Sequence, residues 1–387
     1  MKKEISLYLH IPFCAKKCNY CDFLSFECCA MRDRQLYVDA LCQELLSYQE
    51  QASSYTVVSV FVGGGTPSIL ELEQMEAIFH TLYQVWEVAS FAEITIEVNP
   101  GTVDRKKLIG YRQLGINRLS IGLQSANTQE LQILGRIHNY DQFLATFHSA
   151  REAGFHNINV DVMSGLPGQT LESYRTTLNK VMALSPEHIS AYSLIVEEGT
   201  PFYDNDAVYR MLPDEETERQ MYAFTRTILS GSWYQRYEIS NYARDGYACR
   251  HNMVYWTDGY YLGLGLGAAS YIPGYRFHNT RDMQKYLTAF LPGDPLRQTG
   301  HVHEDIEEID TKKHMEEFMF LGLRMMQGVS RKHFYDTFRR DVFDIYGKVI
   351  HTHESNGLLE VTDDHVCLTE QGISVSNIVM ADFLLED

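Results

Sequence analysis

Six times in its first half, the chain moves between apolar runs of strand length and stretches with helical spacing. The strand-like runs are 5–11, 55–62, 93–98, 118–123, 157–162 and 188–195. Between them lie 33–47, 70–85, 103–114, 140–153 and 171–183, where apolar residues such as Val38, Leu41, Leu45 and Tyr48 recur every three or four positions. Strands joined through helices cannot pair as hairpins, so they lie parallel with right-handed crossovers. An α/β sheet follows, and periodicity alone does not choose between an open sheet and one curled toward a barrel. In parallel sheets the carboxyl ends of the strands form the active face. The cysteines after the first strand, the run 63–66, the segment 97–100, Gln124 and the run 165–168 all follow strands, so they are expected to meet in one cavity.

Beyond residue 211 the alternation stops. A helix is expected over 214–229, introduced by Pro213-Asp214-Glu215, whose acidic residues suit its first turn. The end, 329–383, reads as short helices with a β-hairpin through 357–361 and 366–369, in outline like a winged helix. Two units are therefore expected, 1–210 and 211–387.

A net charge of −18 argues against a general nucleic-acid or anionic-membrane surface. No apolar run reaches eighteen residues and no signal peptide opens the chain, so neither a transmembrane helix nor export is expected. Cysteines stand at 14, 18, 21, 28, 29, 42, 249 and 367. Their crowding into the first thirty residues is not how a disulfide framework spreads, and a reducing cytoplasm is the expected compartment.

Cys14, Cys18 and Cys21 form C-x3-C-x2-C in a short loop. Three thiolates so placed can hold a cubic iron–sulfur cluster with one iron left open. Zinc remains an alternative, with His10 the nearby fourth ligand, and so do a disulfide and plain buried cysteines. Gly63-Gly64-Gly65-Thr66-Pro67 lets backbone amides and carbonyls approach a polar ligand, or is simply a tight turn; it is neither a Walker loop nor G-x-G-x-x-G. Glu97, Gln124, Arg136 and Asp161 are polar at or beyond later strand ends. Carboxylates and amides bind ribose hydroxyls and a guanidinium clamps a carboxylate, so the four could hold an aminoacyl-nucleoside; each alone could be a cap or a surface pair. His251, among Tyr255 and Trp256, is either a haem-iron ligand or a histidine satisfied within the core.

Together these motifs resemble the radical S-adenosylmethionine superfamily. The likeness lies in C-x3-C-x2-C, with Tyr20 before the third cysteine, and in Gly-Gly-Gly-Thr-Pro. Tyr8-Leu-His-Ile-Pro-Phe-Cys14, Glu97-Val-Asn-Pro, Ser120-Ile-Gly-Leu-Gln124, Leu134-Gly-Arg136, Asp161-Val-Met-Ser-Gly-Leu-Pro and His251-Asn-Met-Val-Tyr-Trp256 resemble its coproporphyrinogen-dehydrogenase-like group, and within it the haem-chaperone branch. The resemblance implies a partial (β/α)6 barrel with a small C-terminal α+β domain. It implies a 4Fe–4S cluster on Cys14, Cys18 and Cys21. S-adenosylmethionine would be contacted by Tyr8, Gly64, Gly65, Thr66, Glu97, Gln124, Arg136 and Asp161. By the same resemblance haem is cargo, with His251 associated with its handling, and the partners are acceptor haemoproteins, respiratory ones among them, reached through transient membrane association where needed. The alternative is an oxygen-independent coproporphyrinogen III oxidase. Phe23 stands where those dehydrogenases carry a fourth cysteine, and the longer N-terminal arm of those enzymes has no counterpart before Cys14; both features point to the chaperone branch.

Overall fold

The structure, a computed structural model, describes residues 2–27, 30–291 and 302–385; Cys28 and Cys29 lie outside them. Six parallel strands run in sequence order: β1 (Lys3–Ile11), β2 (Tyr55–Gly64), β3 (Val88–Val98), β4 (Arg118–Gln124), β5 (Ile158–Ser164) and β6 (His188–Ser193). The crossovers carry α1 (Met31–Ser47), α2 (Leu72–Val85), α3 (Arg105–Gln113), α4 (Tyr140–Glu152) and α5 (Leu171–Ala183). Capping is written into the sequence: Asp104, Asn139 and Thr170 each accept a hydrogen bond from the first turn of the helix that follows.

Period-2 alternation divides each strand between two environments. Ile94, Ile96 and Val98, then Leu119, Ile121 and Leu123, then Ile158, Val160 and Val162 face outward into one apolar core shared with Phe79, Phe143, Phe147 and Leu178 of the helices. The intervening residues are polar. Glu97, Arg118, Ser120, Gln124, Asn159 and Asp161 line the lumen.

The barrel does not close. Strands β7 (Gln235–Arg236) and β8 (Asn241–Ala243) extend the β6 edge antiparallel, while β9 (Tyr261–Leu264) pairs parallel with β1. Beyond β9, β10 (Ala269–Ile272), β11 (Tyr275–Asn279) and β12 (His303–Glu308) complete a twelve-stranded sheet. Glu44 of α1 pins this extension. Its carboxylate accepts from the Gly265 amide (2.7 Å), the Tyr286 hydroxyl (2.6 Å) and Asn279 Nδ2 (2.6 Å). The main core thus runs from Ile5 to Val302, and a second core, Met315 to Phe383, supports a separate helical module with a three-stranded sheet. In that module 359–361 and 365–368 form the expected hairpin.

Helix α6 (Glu215–Ser230) packs outside α5, and α7 (Arg250–Trp256) crosses the lumen floor. There Cys249 Sγ and the His251 amide both donate to Glu93 Oε1 (3.3 Å each), and His251 Nδ1 meets Ser59 Oγ at 2.9 Å. One end of the lumen is therefore floored by a helix and the other opens at the cysteine loop.

Candidate cluster and cofactor site

Strand β1 runs straight into the cysteine loop. Phe13–Cys14 pairs with Phe26–Glu27, folding the loop back on itself. The glycine run behind β2 holds it down: the Gly65 amide donates to Ile11 O and the Thr66 amide to Phe13 O, both at 2.8 Å. The Gly64 amide donates to Glu97 Oε2 at 3.1 Å. These three amides are thus spent on the protein itself rather than on a ligand. The glycines serve close approach instead, since a Cβ on Gly65 would lie 2.7 Å from Phe13 O and 3.0 Å from Cys14 Sγ. Gly64 also has φ +117°, a conformation that side chains rarely adopt.

A cavity of about 510 Å³ opens at this end of the barrel. Cys14, Cys18 and Cys21 line it together with Gly64, Gly65 and Thr66. Glu97, Gln124, Arg136 and Asp161 reach the same wall from three further strands and the loop after β4. The convergence expected from the strand ends is present except for the run 165–168, which does not line the cavity; there the Gly168 amide donates to Met211 O at 2.7 Å instead.

Donors surround the sulfurs. Thr66 Oγ1 donates to Cys14 Sγ (3.5 Å) and Arg136 Nη1 to Cys18 Sγ (3.7 Å). Burial pushes the Cys14 thiol up and the Cys21 thiol to about 11, so each is neutral until something replaces its proton. The other edge of Arg136 is spoken for, with Nη2 donating to Asn99 Oδ1 and Gly122 O at 2.7 Å each. Asn99 Nδ2 in turn donates to Thr66 Oγ1 (2.6 Å), so one chain of bonds runs from Gly122 through Arg136 and Asn99 to Cys14. The thiols ring the cavity and do not meet at a point: among the described residues no three His, Cys, Asp or Glu side chains gather closely enough for a single metal ion. His10 has both ring nitrogens engaged, by the Tyr8 hydroxyl (3.0 Å) and Leu24 O (2.8 Å).

The carboxylates are unusual. Burial, then the neighbouring Asp161, raises Glu97 to about 8, against the Gly64 amide and Arg118. Asp161 is also raised by burial, although Asn159 Nδ2 (2.7 Å) and Ser120 Oγ (3.3 Å) donate to it. Gln124 holds φ +69°, a left-handed conformation that few residues other than glycine adopt, and its Oε1 accepts from the Tyr192 hydroxyl at 2.9 Å. The twist turns its amide into the cavity.

Two of the residues singled out from sequence lie elsewhere. Tyr8 lines a neighbouring cavity of about 570 Å³ that shares Gly64 and Glu97 with the first. His251 is 2% exposed behind the lumen floor, with Nδ1 bonded to Ser59 and Nε2 to the Tyr255 hydroxyl (2.9 Å). Burial and Arg118 lower it to about 3, so it is neutral.

The "Radical SAM superfamily" family model matches residues 8–181 and the "HemN C-terminal domain" model matches 309–375. The heme chaperone HemW of Bacillus subtilis is 36% identical over 98% of this chain and 99% of its own length. The Escherichia coli heme chaperone HemW is 33% identical over 99% and 98%. The chain belongs to the HemW family of the radical SAM superfamily. Its fold is shared with E. coli coproporphyrinogen III oxidase (HemN), at a TM-score of 0.87 and 23% identity over 99% of this chain and 90% of that one.

Three further wall residues of this HemW-family barrel carry no signal at the strand ends, namely Arg118, Asn159 and Tyr192. They lie within strands rather than just beyond their ends. The signal for them is alternation inside the strands: Arg118, Ser120, Gly122 and Gln124 occupy every second position of β4. Polar residues at that period mark a strand whose second face meets a polar lumen instead of a second apolar layer.

Proposed function

We propose that this protein is a haem chaperone that keeps a radical-SAM site. It holds a 4Fe–4S cluster on Cys14, Cys18 and Cys21, binds S-adenosylmethionine beside it, and passes haem to acceptor haemoproteins in the cytoplasm or at the membrane face. The observation that carries the haem assignment is the likeness to heme chaperone HemW proteins over 98% of the chain. The donor set fits the cluster: three thiols ring a cavity, two of them accepting hydrogen bonds from Thr66 and Arg136, which favour thiolate sulfur. When bound, the cluster supplies one-electron chemistry to the sulfonium.

The chain's own residues position the cofactor and shield it. Glu97 and Asp161 offer carboxyl groups to hydroxyl or ammonium donors, and Gln124 is aimed inward by its backbone and by Tyr192. Arg136, tied to Asn99 and Gly122, presents its Nη1 edge to the cluster side. Phe23 is 61% exposed at the cavity mouth, an inert ring where the related dehydrogenases have a cysteine. Haem ligation by His251 requires Nε2 to leave Tyr255 or Nδ1 to leave Ser59. No helix among the described residues is long and apolar enough to cross a membrane, so contact with membrane acceptors is transient in this scheme.

Anaerobic reconstitution, followed by haem titration and deoxyadenosine and protoporphyrinogen assays on one sample, tests the proposal. Saturable haem binding with no protoporphyrinogen formed from coproporphyrinogen III is the expected outcome. Absence of haem binding, or turnover of coproporphyrinogen III, refutes it. Unchanged haem affinity in His251→Ala removes the ligand role of His251 alone.

A further inference from the structure

The lumen continues below the cofactor site. Arg118 opens β4 and Gln124 ends it, six residues or about 20 Å away along the strand. Both line the same cavity. Arg118 is 2% exposed, yet its side chain makes no hydrogen bond or ion pair with any described residue, and its buried Nε is without a partner. Thr95, its register neighbour on β3, is fully buried with an equally unpartnered Oγ1. Asn252 faces the cavity from α7 and spends no side-chain hydrogen bond on a described residue.

A buried cation without a partner costs several kcal/mol unless a counter-group satisfies it. Burial works against the charge of Arg118, but Cys249, Glu93, Tyr237 and Asp161 more than offset it, so the guanidinium stays protonated. None of those groups approaches within ion-pair reach. The remaining polar wall is already paired within itself: Asn159 Nδ2 bonds Ser120 and Asp161, and its Oδ1 accepts from Ser190 and meets His188 Nδ1. Donors are therefore left over on the cavity wall at Arg118 and Asn252, at the end of the lumen opposite the thiols, with Thr95 buried out of reach behind the wall.

We propose that Arg118, with Asn252, forms a second ligand subsite on the lumen floor that takes the carboxylate of a small monoanionic ligand. The planar fork of a guanidinium matches a carboxylate through two parallel hydrogen bonds. Glu93 and Asp161 nearby make a dianion such as phosphate unfavourable, because each added negative charge meets theirs in a poorly screened interior. The subsite is separate from the cofactor wall at Arg136, and its failure would leave the haem proposal untouched.

Saturation-transfer NMR on the reconstituted full chain with saturating S-adenosylmethionine, using sodium propionate as probe and inorganic phosphate as comparison at equal ionic strength, tests this. Propionate is expected to bind in the presence of the cofactor, to bind more tightly than phosphate, and to lose at least tenfold in affinity in Arg118→Met. The conservative Arg118→Lys keeps the charge but loses the fork, and is expected to bind propionate more weakly than the native protein. No propionate signal, full displacement by S-adenosylmethionine, equal or tighter phosphate binding, or native affinity in Arg118→Lys each overturns the proposal. Native affinity in Arg118→Met overturns it as well.

Discussion

Replacing Glu97 with glutamine isolates what a buried carboxyl at the cavity wall costs the fold. In Glu97→Gln the side-chain amide can still accept from the Gly64 amide through its oxygen, so the 3.1 Å bond survives while the titration disappears. In the native protein, burial and then Asp161 raise the carboxyl from its ordinary 4.5 to about 8. The folded state therefore holds this proton more tightly than the unfolded chain does. Stability from this group is fully present below 4.5 and is lost as pH rises toward about 8. Each pH unit inside that window is worth about 1.4 kcal/mol, so from pH 5 to pH 7 the residue removes about 2.7 kcal/mol. Because one edge of the carboxyl faces the cavity, water there screens it and makes this an upper bound. Urea unfolding of the native protein and Glu97→Gln at pH 5, 6, 7 and 8.5 gives the difference directly. Glu97→Gln is expected to gain on the native protein as pH rises and to level off above pH 8. Two stability curves that stay parallel from pH 5 to 8.5 would refute the assignment of a raised Glu97.

Two further substitutions probe the frame of the site. Gly65→Ala pushes a methyl group to 2.7 Å from Phe13 O, a backbone atom that cannot swing aside, and toward Cys14 Sγ. It is expected to cost about 1–3 kcal/mol and to lower the iron retained after reconstitution, and a full iron content measured beside an unchanged urea midpoint would count against that packing. Glu44→Gln turns an amide NH2 toward one of three donors, the Gly265 amide, Tyr286 hydroxyl or Asn279 Nδ2, at 2.6–2.7 Å. A loss of about 2–4 kcal/mol is expected from the donors left facing each other, and a loss below about 1 kcal/mol in urea melts would show that the β9–β12 extension is held by other contacts.

Much of this molecule is local, and that part was legible in the sequence. Strand and helix in alternation imposed parallel pairing, and residues just past the strands found the cavity wall at Cys14, Thr66, Glu97 and Gln124. The helix starts at Tyr140 and Leu171 lie where the periodicity put them, and Asn139 and Thr170 cap them, because capping depends only on neighbours in the chain. Alternation settled neither the strand order 1 to 6 nor whether the sheet closed, since order and closure depend on what competes for its edges. Here β9 takes the free edge of β1 and β8 that of β6, both from residues beyond 230 whose short runs carry no signal of their partners.

Residue order was enough to set the fold class, the family and the group of residues at the mouth of the barrel. How those residues are employed emerged only in three dimensions. Gly64, Gly65 and Thr66 give their amides to Glu97 and the cysteine loop, and Arg136 commits one edge to Asn99 and Gly122. His251, indistinguishable in sequence from a ligand, is shut behind Ser59 and Tyr255, whereas Arg118, unremarked in sequence, stands buried without a partner. Residue type and spacing limit what a side chain can bond. Which partner it meets depends on atoms brought from distant parts of the chain, and that is settled only when the strands are laid side by side.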